Sequence, residues 1–187
     1  MSNASDYNSL GKRITVWWAQ ARTNRLFHYG LLGAAVVAVF DQASKYLMVH
    51  VLDLPSRQKI EISGVFDFSY VQNYGASFGM LSGGMGSRII LSLISTGVAL
   101  GLAYWLGTLR RPVAATGVSF VIGGAVGNLY DRLAYGYVVD FIDFSGLYFP
   151  WVFNVADAAI NVGVALLLLD AWQTRERPDQ TTPAEKQ

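Results

Sequence analysis

Carboxylate and carboxamide side chains recur in this sequence at spacings that suit acid–base chemistry. The pattern Asn-x-x-Asp occurs at Asn128–Asp131 and again at Asn154–Asp157, and a spacing of three residues puts both side chains on one face of a helix. Asp140 lies between the two patterns. Two carboxyl groups can activate a shared water molecule, because the ionised one accepts a proton while the protonated one donates to a carbonyl. We therefore predict that Asp140 and Asp157 are the catalytic pair of an aspartyl protease, with acid and base roles assigned to neither.

The composition excludes most other catalytic mechanisms. The 187 residues include no cysteine, which excludes disulfides, thiolate nucleophiles and cysteine-ligated metals. The two histidines, His28 and His50, are too few and too far apart for a histidine zinc site or a Ser-His-Asp triad. Ser44 and Lys45 are adjacent and point in different directions from a helix, so they are a poor Ser-Lys dyad. We therefore expect no metal and no other cofactor, and the net charge of +1 gives no basis for a nucleic-acid partner.

The apolar content indicates a membrane protein. Hydrophobic residues make up 52% of the chain and charged residues 14%, whereas roughly 25% of the residues of a soluble domain are charged. Four stretches approach the length of about 20 apolar residues that a membrane-spanning helix needs. We predict spans at about residues 26–50, 88–108, 113–131 and 151–172. The predicted fold class is thus a mainly α membrane protein, a four-helix bundle whose single domain covers residues 26–174.

Basic residues indicate how the spans are oriented. They precede the first span, join the second to the third and follow the fourth, and they include Arg22, Arg25, Arg110, Arg111 and Arg175. Because positive charge marks cytoplasmic segments, we predict that both termini are cytoplasmic. Two alternatives stay open for residues 1–25, a short interfacial helix and a disordered leader. Residues 175–187 are predicted to be a disordered cytoplasmic tail.

The connection between the first two spans has the pattern of a strand. Residues 60–70 alternate apolar with polar side chains and are rich in β-branched and aromatic types. We predict a small extracytoplasmic β-element at about residues 55–75, between helices 1 and 2. The glycines that follow, Gly75, Gly79, Gly83, Gly84 and Gly86, predict a flexible approach to the second span that could move over a site.

Polar residues gather near the outer ends of the predicted spans. At about 1.5 Å per residue, Asp41, Asn128 and Asp157 reach one depth just below the extracytoplasmic surface. Chain breaks at Gly146 and Pro150 let the polypeptide leave the third helix and enter the fourth on the same side. The predicted catalytic pair can therefore meet without crossing the membrane.

The remaining charged residues near this level are given structural roles. Asp41 and Lys45 have the i to i+4 spacing with the acid first, so we expect a bracing ion pair. Lys45 is predicted to extend to the lipid headgroups. Asp131 is expected to anchor the guanidinium of Arg132 at the rim of the site, and Asp143 to be a solvated loop residue.

Four sequence blocks together resemble the lipoprotein signal peptidase family, also called signal peptidase II. Their order and spacing fit that family, and the match extends from Asp41 to about Asp170. The blocks are Asp41-Gln42-Ala43-Ser44-Lys45, Asn73-Tyr74-Gly75-Ala76-Ser77-Phe78, Gly127-Asn128-Leu129-Tyr130-Asp131-Arg132 continuing to Val138-Val139-Asp140-Phe141, and Phe153-Asn154-Val155-Ala156-Asp157.

The resemblance implies roles for individual residues. In that family the aspartates that match Asp140 and Asp157 are the catalytic dyad. Other matching residues line or brace the site, namely Asn73, Asn128, Asp131, Arg132 and Asn154. For Asn154, contact with the substrate and satisfaction of buried polar groups remain equal alternatives.

The resemblance also implies a substrate and a location. The substrate is a proprotein that carries a diacylglyceryl group on a cysteine, and it is cut just before that cysteine. The enzyme is implied to be a multi-pass protein of the bacterial inner membrane, with its active site near the periplasmic face. A β-cradle and a flexible loop over the site are implied as well. We expect a monomer surrounded by membrane lipid.

Two other function classes use carboxylates in membranes. A proton- or ion-coupled transporter places them near the midplane of the bilayer, whereas here they gather at one end. Substrate flux in proteoliposomes distinguishes this class. A metal-dependent membrane hydrolase would use the same aspartates as magnesium ligands, and sensitivity to chelators distinguishes that one.

Overall fold

The computed structural model describes residues 4–75 and 84–175. The central part of the predicted flexible approach, residues 76–83, lies outside the described residues. So does nearly all of the predicted disordered tail, residues 176–187.

Four helices of the described chain are long and apolar enough to cross a membrane. The predicted mainly helical fold, with four apolar spans and a small β-sheet, is thereby confirmed. Helix α1 and the short helix α3 are not among the four. In chain order the helices are α1 Ala4–Ala21, α2 Arg25–Tyr46 with a π-helical continuation Leu47–Val51, α3 Leu54–Arg57, α4 Met85–Leu106, α5 Pro112–Ala134 and α6 Val155–Arg175.

Helix α5 is the centre of the bundle. In its most apolar stretch 67% of the residues are buried, against 11% in α4, because α2, α4 and α6 pack around it. Glycine lets α5 and α6 approach closely, since a Cβ at Gly117 would lie 2.8 Å from the carbonyl oxygen of Gly163. On the other side, a Cβ at Gly123 would lie 2.6 Å from the carbonyl oxygen of Ala34 in α2.

A four-stranded antiparallel sheet covers one end of the bundle. Its spatial order is β1-β2-β3-β4, and Val71 of the second strand pairs with Asp140 of the third. The strands are β1 Lys59–Glu61, β2 Asp67–Asn73, β3 Val138–Asp143 and β4 Val152–Phe153. Of these four strands, β1 and β2 lie between the first two spans. The β-element is therefore larger than predicted, because the second connection contributes β3 and β4.

The prediction for Asp143 is wrong. This residue ends β3, where strand pairing sets it opposite Asp67, and it is only 7% exposed. Its carboxylate accepts hydrogen bonds from the Ser69 hydroxyl at 2.6 Å and from the Ser145 amide at 2.8 Å. The Ser69 hydroxyl is the main reason why the pKa of Asp143 lies below its usual value.

Two alternatives were predicted for the N-terminal segment, a helix and a disordered leader, and its described residues form a helix. Helix α1 extends from Ala4 to Ala21. Ala21 is fully buried in the core at the end of the bundle remote from the sheet, together with Phe27, Leu106 and Ala114. The segment therefore packs against the four-helix bundle.

Candidate active site

Asp140 lies in the centre of the sheet and is held by two amides. Its position in β3, paired with β2 and packed over the bundle, leaves it 2% exposed. The Asn73 side chain donates to Oδ2 of Asp140 at 2.9 Å, and the Asn154 side chain donates to Oδ1 at 2.6 Å. Both donors are neutral carboxamides, so they orient the carboxyl group without adding a fixed positive charge.

Asp157 is positioned by the start of α6. Asn154 precedes the first residue of that helix, and its Oδ1 accepts from the Asp157 amide at 2.9 Å. The Asn154 amide donates back to Oδ2 of Asp157 at 3.3 Å. This reciprocal pair has the form of a capping box, which explains the three-residue spacing of the motif. The other oxygen, Oδ1, accepts from the side chain of Asn128 at 2.8 Å.

Two asparagines link the carboxyl groups to one another. The Asn154 side chain, fully buried, donates to Asp140 and also to Oδ1 of Asn128 at 3.2 Å, while Asn128 donates to Asp157. Among the residues that the structure describes, no lysine or arginine forms an ion pair with either aspartate. The predicted pair is thus brought together by neutral groups.

The surroundings of Asp140 favour its protonated form. Burial and the neighbouring charge of Asp157 raise the pKa of Asp140 to about 7, and the hydrogen bonds from Asn73 and Asn154 oppose the rise. Burial and like charge act in this direction because both disfavour a second negative charge. A carboxyl group with this pKa can hold or release a proton near neutral pH.

Arg132 lies beside the pair. Its guanidinium donates to the carbonyl of Asn128 at 3.3 Å, and Asp157 and Asp140 are the carboxylates that act on it most strongly. The prediction that Asp131 anchors the Arg132 guanidinium is wrong, because Asp131 forms its ion pair with Lys45. Asp131 points to α2, whereas Arg132, one residue further along the helix, points to the site.

Asp41, Lys45 and Asp131 form a separate buried group, the bracing cluster. The Lys45 ammonium lies 2.8 Å from Oδ2 of Asp41 and 2.8 Å from Oδ2 of Asp131. The predicted Asp41–Lys45 pair is confirmed. The predicted extension of Lys45 to the headgroups is wrong, since the residue is only 4% exposed. Two carboxylates compensate its charge inside the protein and make extension to water unnecessary.

The bracing cluster also holds the backbone next to each aspartate of the pair. Oδ1 of Asp41 accepts from the amide of Ala156 at 2.9 Å, directly before Asp157. Oδ2 of Asp131 accepts from the amide of Val139 at 3.1 Å, directly before Asp140. The cluster therefore connects α2 and α5 to both segments that carry the predicted chemistry.

Gln42 and Gly127 belong to the site and were not predicted from the sequence. The Gln42 amide donates to Asp41, to Asp131 and to the carbonyl of Gly127 at 3.1, 2.8 and 3.2 Å. A Cβ at Gly127 would lie 2.6 Å from Oδ2 of Asp41. Both residues lie inside the quoted sequence blocks, so the signal was their place beside the predicted site residues.

A cavity of about 540 Å³ lies on the other side of β3 from Asp140. Lys45, Asp131 and Val139 line it together with several tyrosines. Because successive side chains of a strand point to opposite faces, Val139 faces this cavity while Asp140 faces the asparagines. Within residues 4–75 and 84–175, no group of three histidine, cysteine or acidic side chains has the arrangement of a metal site.

Comparison with known proteins identifies the family. The family model described as signal peptidase (SPase) II matches residues 33–173. The lipoprotein signal peptidase of Caulobacter vibrioides is 49% identical over 144 residues, which cover 76% of this chain and 86% of that protein. The lipoprotein signal peptidase of Alteromonas mediterranea is 38% identical over 159 residues, covering 81% and 85%.

Solved structures agree with the fold. A bacterial membrane enzyme determined at 2.3 Å by the in meso method is 25% identical, has a TM-score of 0.69, and is matched over 86% of this chain and 95% of its own. A second bacterial membrane enzyme, determined at 1.9 Å, is 28% identical with a TM-score of 0.67 over 77% and 92%. The resemblance seen in the four sequence blocks is confirmed, and the chain belongs to the signal peptidase II family.

Proposed function

We propose that this membrane peptidase removes the signal peptide from lipoprotein precursors with Asp140 and Asp157 as its catalytic pair. The observation that carries the proposal is the arrangement of two carboxyl groups, Asp140 buried and Asp157 half-buried, linked through Asn154 and Asn128. A raised pKa of Asp140 near neutral pH suits a pair that shares one proton.

The reaction follows from this shared proton. The ionised carboxylate removes a proton from a water molecule, and the water oxygen attacks the carbonyl carbon of the residue before the lipid-modified cysteine. The protonated carboxyl group donates its proton to the carbonyl oxygen. When the tetrahedral intermediate breaks down, the C–N bond is cleaved and the proton taken from water passes to the cysteine amine. As the carbonyl re-forms, a hydroxyl of the intermediate returns a proton to the carboxylate that had protonated the carbonyl oxygen. The pair returns to its starting state of one proton.

The other predicted site residues are given supporting roles. Asn73, Asn128 and Asn154 orient the two carboxyl groups, and the guanidinium of Arg132 limits the build-up of negative charge beside them. The bracing cluster fixes the backbone that precedes each aspartate. In the proposed account none of the three cluster residues takes part in proton transfer.

The substrate is proposed to be a diacylglyceryl-modified prolipoprotein, cut just before the modified cysteine. Residues 26–174 act as one membrane domain and as a monomer in lipid. The basic ends of the helices lie in the cytoplasm with both termini, because positive charge marks that side. The sheet and the aspartate pair at the opposite end then face the periplasm, where an exported precursor is available.

A gel-shift assay on a lipidated proprotein tests the proposal. Asp140→Asn and Asp157→Asn should each abolish cleavage, since a carboxamide can neither accept nor donate the required proton. Asp143→Asn is the matched control, because Asp143 is a buried aspartate of the same strand outside the pair. Cleavage by either pair variant at the rate of the Asp143→Asn control would contradict the proposal.

A further inference from the structure

The N-terminal helix α1 precedes the segment that matches the family and still has a defined docking site. The Trp17 indole NH donates to the carbonyl of Tyr104 near the end of α4 at 2.9 Å. The two rings stack with centroids 5.0 Å apart and planes inclined by 21°. Trp17 also packs against the buried core that includes Ala21 and Phe27.

The turn between α4 and α5 is shaped to receive this helix. A Cβ at Gly107 would lie 2.8 Å from the Trp17 ring, so the turn approaches the indole as closely as glycine allows. Asn24, in the link between α1 and α2, donates to the carbonyls of Gly107 and Leu109 at 3.2 and 2.9 Å. Helix α1 is therefore held against the end of the bundle opposite the aspartate pair.

A cavity of about 340 Å³ lies where α1 meets the end of α4. Aromatic rings of Trp17 and Tyr104 form part of its wall, and the polar groups of Gln20 and Thr108 contribute hydrogen-bonding capacity. Lys12 and Arg13 line the same cavity. This combination of paired cations, hydroxyl and amide groups over an aromatic wall suits an anion with an apolar body.

The charge around this cavity is positive. Among side chains 11–75 and 84–175, no ion pair involves Lys12 or Arg13. Arg22 and Arg110 are exposed close by in the chain, whereas Arg111 is paired with Asp170 at 2.7 Å. An anionic group is therefore favoured over a zwitterionic one, whose own cation would be repelled.

Apolar side chains of α1 are exposed beside the cavity and on a second face of the helix. Val16, which lines the cavity, has 57% of its surface accessible, and Ile14 and Trp18, one turn apart, each have 54%. Basic residues beside exposed aliphatic and tryptophan side chains are typical of a helix that lies in the headgroup region of a bilayer. The same region of the membrane supplies both an acyl surface and a phosphate.

We propose that the cavity between α1 and α4 binds the headgroup of an anionic phospholipid such as phosphatidylglycerol. Lys12 and Arg13 contact the phosphate, and Thr108 and Gln20 bind the neutral part of the headgroup. The first carbons of the lipid lie along Val16 and the aromatic wall. Helix α1 thus adds a lipid site to the end of the molecule remote from the aspartate pair.

Native mass spectrometry of the full chain in detergent tests this proposal with equal amounts of phosphatidylglycerol and phosphatidylcholine. The wild type should retain phosphatidylglycerol over phosphatidylcholine on the order of tenfold, given two basic side chains near the phosphate. The variant Lys12→Gln/Arg13→Gln should lose this preference. Added salt should weaken it as well, because ions screen exposed charges.

The matched control is Arg22→Gln/Arg25→Gln, which removes the same charge from the following segment, outside the cavity lining, and should keep most of the preference. Equal retention of the two lipids by the wild type overturns the proposal. Equal losses in both double variants also overturn it, because they would indicate diffuse attraction without a site. Cleavage of a lipidated proprotein in detergent should be unchanged in both variants, so this outcome is independent of the proposed catalytic pair.

Discussion

Two groups of aspartates lie side by side in this molecule and differ in what surrounds them. In the bracing cluster, the Lys45 ammonium sits 2.8 Å from both Asp41 and Asp131. In the other group, Asp140 and Asp157 are bridged by carboxamides, and among the described residues no cation forms an ion pair with them. The same residue type is thus neutralised in one place and left free to exchange a proton in the other.

In this protein, structural support and the proposed proton transfer are therefore assigned to different aspartates. A buried ammonium compensates the charge of a carboxylate bound to it, and loss of either partner leaves an uncompensated charge in the interior. A carboxyl group held by amides is oriented as firmly and can still change its protonation state. The bracing cluster stabilises the position of the pair through the amides of Ala156 and Val139.

Breaking the bracing cluster should have the largest effect on stability. Lys45→Met leaves two carboxylates buried without their cation, and loss of one partner from a buried pair costs about 3–5 kcal/mol. We expect a strongly lowered unfolding temperature and little folded protein. Lys59→Met is the control, because the Lys59–Asp67 ion pair is more exposed. If both variants unfold at the same temperature, the cluster is not a brace.

Removing the bridge between the two aspartates should come next. Asn154→Ala takes away donors to Asp140 and Asn128 together with the cap of α6. Loss of one aligned donor in an active site typically lowers kcat by about 10²–10³-fold, and loss of a helix cap costs about 1 kcal/mol. Rate and unfolding temperature should be measured together. The exposed Asn161→Ala in the same helix should change neither.

The pH dependence of stability offers a smaller and more specific contrast. The pKa of Asp140 is raised to about 7 in the folded protein, whereas its usual value is about 4. The protonated form of Asp140 therefore contributes fully to the free energy of unfolding below about pH 4. This contribution is lost as the pH rises through 7, with a slope of at most about 1.4 kcal/mol per pH unit. Unfolding temperatures of wild type and Asp140→Asn should diverge in favour of the variant between about pH 4 and 7. Parallel curves would contradict this assignment.

The smallest effect is expected outside both groups. Ser69→Ala removes the hydroxyl that binds Asp143, and a single hydrogen bond contributes about 1 kcal/mol. Because the pKa of Asp143 lies below its usual value, this contribution is present above about pH 4 and is lost as the pH falls. The unfolding temperature should drop slightly at pH 7 while cleavage stays unchanged. A large loss of cleavage would place Asp143 in the catalytic machinery.

Much of the fold was predictable because its signals are local. Apolar stretches of about 20 residues identify spans without knowledge of their neighbours, and alternation over residues 60–70 identified the first half of the sheet. Strands β3 and β4 were missed because Val138–Asp143 is buried on both faces and shows no alternation. A short strand without alternation does not stand out from a connection by periodicity.

The site was predictable in its residues and less so in its contacts. Asn128, Asp140, Asn154 and Asp157 come together, whereas Asp131, the acid of the first motif, pairs with Lys45. The partner of Asp131 was missed because Lys45 lies in another helix, 86 positions earlier in the chain. A sequence pattern shows neighbours within one helix, whereas this ion pair depends on how α2 packs against α5.

The most direct test of the proposed aspartate pair compares cleavage rates of Asp140→Asn, Asp157→Asn and the double variant under single-turnover conditions. Two groups that share one proton act as a unit, so removing both should slow cleavage no more than removing one. We expect three equal residual rates, all at least about 10²-fold below wild type. A double variant slower than either single variant by the product of their separate effects would contradict the shared role of the two aspartates.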